Sequence, residues 1–264
     1  TDSQDAAVLL ENYRGAFAAL ERAEELAAVI CDSETVEVQK ALQESVKEAS
    51  AARRERLAVV GGGAEETATQ LVQRAKALNC ERVVLAAPGG VKAAAAVAGA
   101  MAGETDPAVP LGGAVLKGLD SLDTAWSDNE IDALVLGGVT PLEQVGGEVS
   151  VVRGITTRTK TGTANDATWR ELTTILVVDD VIPSLRGALR AKFSRVKNTE
   201  QGRGAIRSQV IVELENKVAN EIITGYEGVT VRALEDNPTV CLVEFKFTVA
   251  HGLNQIWLNA HITV

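Results

Sequence analysis

The chain has 264 residues, of which 46% are apolar, and it carries a formal net charge of −10. This length and apolar content suit a globular protein of one large or two smaller domains and exclude a disordered chain. The negative charge opposes binding to nucleic acid and to anionic membranes. The longest apolar run, residues 93–102, is about half of the ~20 residues that a membrane span needs, and no signal peptide is predicted.

The first 140 residues alternate between short apolar runs and longer amphipathic stretches. The short runs at residues 27–31, 57–60 and 82–87 are typical of buried strands. Residues 130–136 are predicted to form a turn and a further strand. This alternation predicts an α/β fold, a parallel sheet with helices on both faces. The predicted helices cover residues 9–25, 34–56, 64–78 and 91–101.

The pattern changes near residue 147. Asp179 or Asp180 is predicted to cap a helix that has Pro183 near its start and ends at about residue 193. A second helix is predicted for residues 202–223. The second half is therefore expected to be a smaller α+β domain with antiparallel strands. The predicted strands are residues 147–155, 170–178, 229–233, 240–249 and 255–264.

The change in pattern divides the chain into two predicted domains. The α/β domain covers residues 1–147, with an extension to about residue 155, and the α+β domain covers residues 148–264. In the last predicted strand, alternate apolar residues share one face. These residues are Ile256, Leu258, Ala260, Ile262 and Val264.

Two glycine-rich turns follow predicted strands and precede predicted helices, at residues 61–63 and 88–90. Backbone amides at a helix N-terminus attract anions, so these turns are candidate phosphate sites. However, the first turn matches neither common phosphate-binding motif, and Glu65 and Glu66 would repel a phosphate. Both are interpreted as tight turns, and an α/β enzyme or small-molecule-binding protein that uses these loops is kept as the alternative function.

No catalytic or metal-binding constellation is predicted. His251 and His261 have no acid placed to orient them, and His and Cys residues lack the spacing of a metal site. Cys31, Cys80 and Cys241 are far apart and are interpreted as small buried hydrophobes in a reducing compartment. We therefore predict that the chain is not an enzyme and uses no cofactor or metal.

One segment, residues 183–210, is strongly basic. It has seven basic residues and one acid, Glu200, so it carries +6 within a chain of −10. It is either a solvated helix–loop–helix or a face that docks against an acidic partner. Nucleic acid is a third and weaker alternative, because only 3% of the residues are aromatic. The basic residues are Arg186, Arg190, Lys192, Arg195, Lys197, Arg203 and Arg207.

The second half of the chain resembles contractile phage tail sheath proteins. VVRGITTRT, residues 151–159, is similar to a strand and Thr-rich loop of that family. ELTTILVVDDVIPSLRGALRAKF, residues 171–193, and then RGAIRSQVIVELENK, residues 203–217, are similar to its C-terminal helices. Residues 93–122 resemble its small-residue helix and loop, and residues 129–143 resemble its helix and hairpin.

The collinear order of these segments carries the resemblance, which covers about residues 80–264, whereas the first 80 match by α/β pattern only. It implies a subtilisin-like sheath domain followed by a C-terminal sheath domain. Because the chain has no protease triad, the first label implies no activity. The implied function is that of a structural subunit that polymerises as stacked hexameric rings around an inner tail tube. Contraction by rigid-body rearrangement would drive the tube through a target envelope.

The resemblance also implies partners and surfaces. Expected partners are neighbouring sheath subunits, the inner tube protein, and baseplate and tail terminator proteins, in a virion tail that is assembled in the bacterial host cytoplasm. The family's C-terminal domain lies near the tube, so the basic segment is the candidate tube-facing surface. The family exchanges strands between subunits, which makes the strand at residues 255–264 a candidate inter-subunit strand. The chain begins at Thr1 rather than Met, and we expect a folded core that lacks at least one linking arm.

Overall fold

The computed structural model describes residues 2–253. Its first half is built on a five-stranded sheet in the order β1-β2-β3-β4-β5. The first four strands are parallel, and β5 pairs with β4 in the antiparallel direction. The strands are β1 (Ala28–Ile30), β2 (Leu57–Gly61), β3 (Val83–Ala87), β4 (Thr140–Val145) and β5 (Glu148–Val151).

Helices cover both faces of this sheet, as predicted. On β2, Ala58 and Val60 face one apolar cluster, while Leu57 and Val59 face another. Every residue of β2 and β3 is buried, which explains why these strands are continuous apolar runs. Helices α1, α2, α3 and α5 contribute to the first cluster, and α4 contributes to the second. The helices are α1 (Asp2–Ala19), α2 (Val36–Ala51), α3 (Ala68–Leu78), α4 (Gly90–Gly103) and α5 (Asp128–Leu136).

The strand predicted at residues 130–136 is wrong, because this segment belongs to α5. Ser127 precedes the helix, and its backbone amide and hydroxyl donate to Glu130 Oε2 at 2.9 and 2.7 Å. This capping box starts a helix, and Leu134 and Val135 are then buried on one side of it. The helix implied by the family resemblance is therefore present, and β4 follows it.

The second half contains two long helices and two antiparallel strand pairs. A small hairpin joins β6 (Lys160–Thr161) to β7 (Ala164–Asn165). Helices α6 (Leu172–Phe193) and α7 (Glu200–Ala219) pack with β8 (Ile223–Ala233) and β9 (Cys241–Val249) around a third apolar cluster. This mixed α/β architecture with a C-terminal antiparallel pair confirms the predicted fold class. None of the helices in the described part of the chain is long and apolar enough to cross a membrane.

The strand predicted at residues 170–178 is also wrong, because residues 172–178 begin α6. Leu172 and Ile175 pack against the sheet, and Val177 and Val181 pack into the third cluster. Burial at helical spacing in two cores outweighs the strand preference of this Thr- and Val-rich segment. Pro183 consequently lies inside the helix rather than near its start.

Helix α6 is the only described helix that enters both the second and the third apolar cluster. Strand β5 belongs to the first sheet, so the sheet continues beyond residue 147. The domain boundary at residue 147, with its extension to about residue 155, remains a prediction. The candidate inter-subunit strand with Ile256, Leu258, Ala260, Ile262 and Val264 lies outside the described residues.

Candidate functional site

The two glycine-rich turns meet at the C-terminal ends of β2 and β3. Helix α3 follows β2 on one face of the sheet and α4 follows β3 on the other, which is where α/β proteins commonly bind ligands. Here a Cβ on Gly61 would lie only 2.2 Å from the carbonyl carbon of Gly90, and Gly90 has a φ of +59°. The two backbones therefore touch, and glycine is needed for this contact.

A protein carboxylate occupies the anion position at the first turn. The Gly63 amide donates to Glu66 Oε2 at 2.7 Å, and Arg74 donates to the same oxygen from Nε at 2.9 Å. Arg74 Nη1 also donates to the Glu34 carbonyl oxygen at 2.6 Å, which ties the turn to the residues after β1. The fully buried Gln39 donates to the Gly61 carbonyl oxygen at 2.9 Å. This geometry favours a structural turn over a phosphate site.

The charge on Glu66 strengthens this interpretation. Burial opposes its ionisation, but hydrogen bonds from Arg74 and Gly63 outweigh burial and hold the pKa of Glu66 below its ordinary value. The carboxylate is therefore ionised at neutral pH, and it would repel a bound phosphate.

Ion pairs attach the middle of α6 to both halves of the chain. Arg82, just before β3, donates to Asp179 from Nη1 and Nη2 at 2.7 and 2.9 Å. Asp180, the next residue, pairs with Lys217 of α7. The capping role predicted for Asp179 or Asp180 is therefore wrong, since both lie inside the helix. Burial raises the pKa of Asp179 above its ordinary value even beside Arg82, so acidification protonates this carboxylate at a higher pH than an exposed aspartate.

The candidate tube-facing residues fall into two groups, and the first is engaged within the chain. Arg186 Nη2 lies 2.8 Å from Glu55 Oε1, and Lys192 donates to Gln209 Oε1 at 2.6 Å. The remaining contacts of this group are Arg203 Nη1 to Asn198 Oδ1 at 3.0 Å and Arg207 Nε to the Val229 carbonyl oxygen at 2.9 Å.

The second group is exposed. Arg190, Arg195 and Lys197 lie at the end of α6 and in the turn before α7. Their side chains form no hydrogen bond or ion pair with other residues of the part of the chain that the structure describes. We call these three residues the basic tip. The charge count of the sequence located the segment but could not separate these residues from the paired ones.

The β8–β9 sheet is incompletely covered. Residues 2–253 supply it with two strands, so the outer edge of β9 has no strand partner within that range. On β9, Val243, Phe245, Phe247 and Val249 pack against the third cluster but remain partly exposed. A two-stranded sheet is marginally stable by itself, and unpaired edges invite another strand. An exposed basic tip and an unpaired sheet edge are features of proteins that assemble with other chains.

Comparison with known proteins identifies the family. The model of the phage tail sheath protein central domain matches residues 6–157, and that of the phage tail sheath C-terminal domain matches residues 164–263. The chain belongs to the phage tail sheath protein family. A tail sheath protein of Bacillus phage SP01 is 28% identical over 261 residues, and the match covers 90% of this chain and 43% of the relative. The chain thus spans less than half the length of that protein.

Solved sheath structures share the fold. A sheath tail protein from Listeria innocua aligns with a TM-score of 0.75 at 16% identity, over 91% of this chain and 57% of its own. One from Desulfitobacterium hafniense gives 0.71 at 16% identity, over 90% and 60%. The anti-feeding prophage helical sheath in its contracted state gives 0.70 at 12% identity, over 94% and 73%.

Proposed function

We propose that the chain is the folded core of a contractile tail sheath subunit, in a phage or in a related contractile injection system. The observation that carries this proposal is the pair of sheath family models, which match successive segments between residues 6 and 263. A solved sheath complex of an extracellular contractile injection system, in its contracted state, also shares this fold. We place the protein in the virion tail after synthesis in the host cytoplasm.

In this proposal the subunits polymerise as stacked hexameric rings around an inner tail tube. Baseplate and tail terminator proteins lie at the two ends of the polymer. Contraction is a rigid-body rearrangement of subunits that drives the tube through a target envelope. The rigidity of one subunit is supported by α6, which packs into two apolar clusters and is fixed by the Arg82–Asp179 pair. No enzymatic step is part of this mechanism.

Strand exchange is the proposed link between subunits. The apolar residues that alternate from Ile256 to Val264 have the period of a strand with one buried face. The outer edge of β9 carries backbone amides and carbonyls that pair with no strand within residues 2–253. Pairing an exchanged strand with such an edge would satisfy these groups and place its apolar side chains beside those of β9.

The basic tip is the proposed contact with the inner tube. Arg190, Arg195 and Lys197 are exposed and carry three positive charges in a chain of net charge −10. Such a local concentration of charge would orient the subunit on an acidic tube surface and raise the rate of association.

Negative-stain microscopy of the full-length protein with its native termini tests the proposed function. We expect tubes with six-fold symmetry, alone or around added inner tube. A monodisperse monomer with saturable nucleotide binding would contradict the proposal and favour a ligand-binding α/β protein.

A further inference from the structure

A cavity of about 300 Å³ opens at the N-terminal ends of β1 and β2, between the C-terminal end of α4 and the middle of α6. Its floor is apolar, and Leu57, Met101 and Leu111 are buried there. Its rim is acidic. The acidic residues that line it are Glu55, Glu104, Asp106, Asp179 and Asp180.

Three of these acids pair with basic residues, whereas the other two have no cationic partner within residues 2–253. Glu55, Asp179 and Asp180 pair with basic residues of the chain. Glu104 and Asp106 form no ion pair with the described residues. Glu104 Oε1 accepts hydrogen bonds from the amides of residues 105 and 106, and Asp106 Oδ1 accepts one from the amide of residue 108.

The position of these two acids is unfavourable for the isolated subunit. They follow the last residue of α4, where the helix dipole is negative, and the last turn of α4 contains no basic residue. Negative charge at a helix C-terminus destabilises the helix, and a cation there stabilises it. A positive group that enters the cavity would therefore interact favourably with both carboxylates and with the helix end.

The shape of the cavity restricts the cation. An apolar floor below an acidic rim matches a side chain with an aliphatic stem and a charged head, as in Arg and Lys. The volume of about 300 Å³ is that of roughly ten water molecules, which admits such a side chain.

We propose that the basic tip of a second copy of this chain docks into this cavity. The tip supplies exposed Arg and Lys side chains without a partner among residues 2–253, and charge complementarity favours the pairing. The tip begins at the C-terminal end of α6, whereas the cavity lies beside the middle of that helix, so the tip does not reach the cavity of its own subunit. From Asp179 to Arg190 the helix rises about 16 Å, at ~1.5 Å per residue.

Such a contact is head-to-tail, since different surfaces of the two copies meet. Repeated head-to-tail contacts close into rings or continue as helical polymers. This inference rests on the proposed sheath function, and it gives the basic tip two alternative acidic acceptors, the inner tube and the cavity of a neighbour. A given tip contacts one of them at a time.

Charge exchange tests the pairing in the full-length protein without inner tube. The cavity variant Glu104→Lys/Asp106→Lys and the tip variant Arg190→Glu/Arg195→Glu/Lys197→Glu are each expected to lower the sedimenting polymer fraction at least about tenfold, the factor for ~1.4 kcal/mol. Combining all five changes is expected to restore polymer. The control Asp120→Lys/Asp123→Lys, which alters two exposed acids elsewhere, is expected to polymerise normally.

The neutral variant Glu104→Gln/Asp106→Asn gives a second measurement, with a smaller loss expected and less risk to folding. The inference is overturned if the cavity variants polymerise as the wild type does, or if the combined variant is no better than either parent. Binding of cavity variants to preformed inner tube is expected to be unchanged. Failure of the wild type to form any polymer would instead overturn the proposed function, and with it this inference.

Discussion

Arg82 and Asp179, 97 residues apart in the chain, form a two-pronged ion pair between the start of β3 and the middle of α6, with hydrogen bonds of 2.7 and 2.9 Å. Each side chain is 13% exposed. A second pair, Arg186 with Glu55, lies about two turns further along the same helix. Together with the apolar contacts of α6, these pairs hold the C-terminal helices against the sheet of the first half.

Removing one partner of the Arg82–Asp179 pair is expected to destabilise the folded protein. Arg82→Met leaves the Asp179 carboxylate buried without its cation, and we expect the free energy of unfolding to fall by about 3–5 kcal/mol. The double variant Arg82→Met/Asp179→Leu removes both charges and is expected to recover most of this loss. Urea denaturation of the purified protein measures both values.

The control for this prediction is the exposed pair Arg232–Glu244, whose side chains are 52% and 53% exposed. Arg232→Met is expected to cost less than about 1 kcal/mol, because water screens the pair. Equal losses for the two arginine variants would contradict a special role of the Arg82–Asp179 pair.

The architecture of the first half could be predicted because its central strands are covered on both faces. Val59 and Val60 point to opposite faces of the sheet and are both fully buried, so the strand is a continuous apolar run that glycines terminate. Residues 130–136 and 172–178 are helical although the sequence predicts strands there, since short apolar segments fit a helix and a strand equally well. In the second segment, packing of Leu172 and Ile175 against a distant sheet decides the outcome.

The basic segment could be found from charge alone, but the sequence does not show which of its basic side chains are paired within the chain and which are exposed. The partner of Arg186 is Glu55, 131 residues earlier, and the acceptor for Arg207 is a backbone carbonyl in β8. Neither contact leaves a local pattern in the sequence. The same is true of the acidic cavity, whose rim consists of Glu55, residues at the end of α4 and residues in the middle of α6.

Because the two glycine turns are in contact, an alanine substitution at Gly61 is expected to destabilise the protein far more than one at a glycine with open space around it. Gly61→Ala places a Cβ 2.2 Å from the backbone of Gly90, so we expect destabilisation of at least about 1–3 kcal/mol. Gly99→Ala is the matched control, because it lies inside α4 with nothing within 4 Å of the new Cβ. It is expected to stabilise the protein by about 0.5–1 kcal/mol. Thermal unfolding of both variants measures this, and a tolerated Gly61→Ala would contradict the close contact.

Tyr13 is predicted to resist ionisation. Its hydroxyl donates to Asp32 Oδ1 at 2.6 Å, and this hydrogen bond raises the pKa of Tyr13 to about 12. Because the folded pKa is raised above the ordinary value near 10, the associated stability is present below about pH 10 and is lost as the pH rises through about 12.

The measurement uses a Tyr226→Phe background, in which Tyr13 is the remaining tyrosine. Phenolate absorbance at about pH 11 is expected to be low in the folded protein, although a free tyrosine is then about 90% ionised. Asp32→Asn is expected to increase the absorbance, and Glu11→Gln on the same helix is expected to leave it unchanged. Equal absorbance for the background and for Asp32→Asn would show that the hydrogen bond does not govern the pKa.

Protonation of Glu66 is expected to cause part of the loss of folding stability at acid pH. Its pKa is lower in the folded protein than in the unfolded chain, so its contribution to stability is present above the unfolded pKa of about 4.3 and is lost as the pH falls through the folded pKa. Glu66→Gln is therefore expected to be less stable at pH 7 and to lose less stability between about pH 5 and 3. The neighbouring exposed Glu65→Gln should follow the wild type, and urea denaturation across this pH range compares them.

If the basic tip contacts the inner tube, binding of the subunit to the tube is expected to weaken as the salt concentration rises. Arg190→Glu/Arg195→Glu/Lys197→Glu is expected to weaken co-sedimentation with preformed tube at least about tenfold at low salt, because attraction becomes repulsion. Wild-type binding is expected to fall towards that of the variant as salt shortens the screening length from about 10 Å at 0.1 M to about 3 Å at 1 M. The control Lys40→Glu/Lys92→Glu/Lys117→Glu makes the same change in net charge at exposed positions elsewhere and is expected to bind normally. If both triple variants weaken binding equally, net charge governs the association and the tip is not the docking surface.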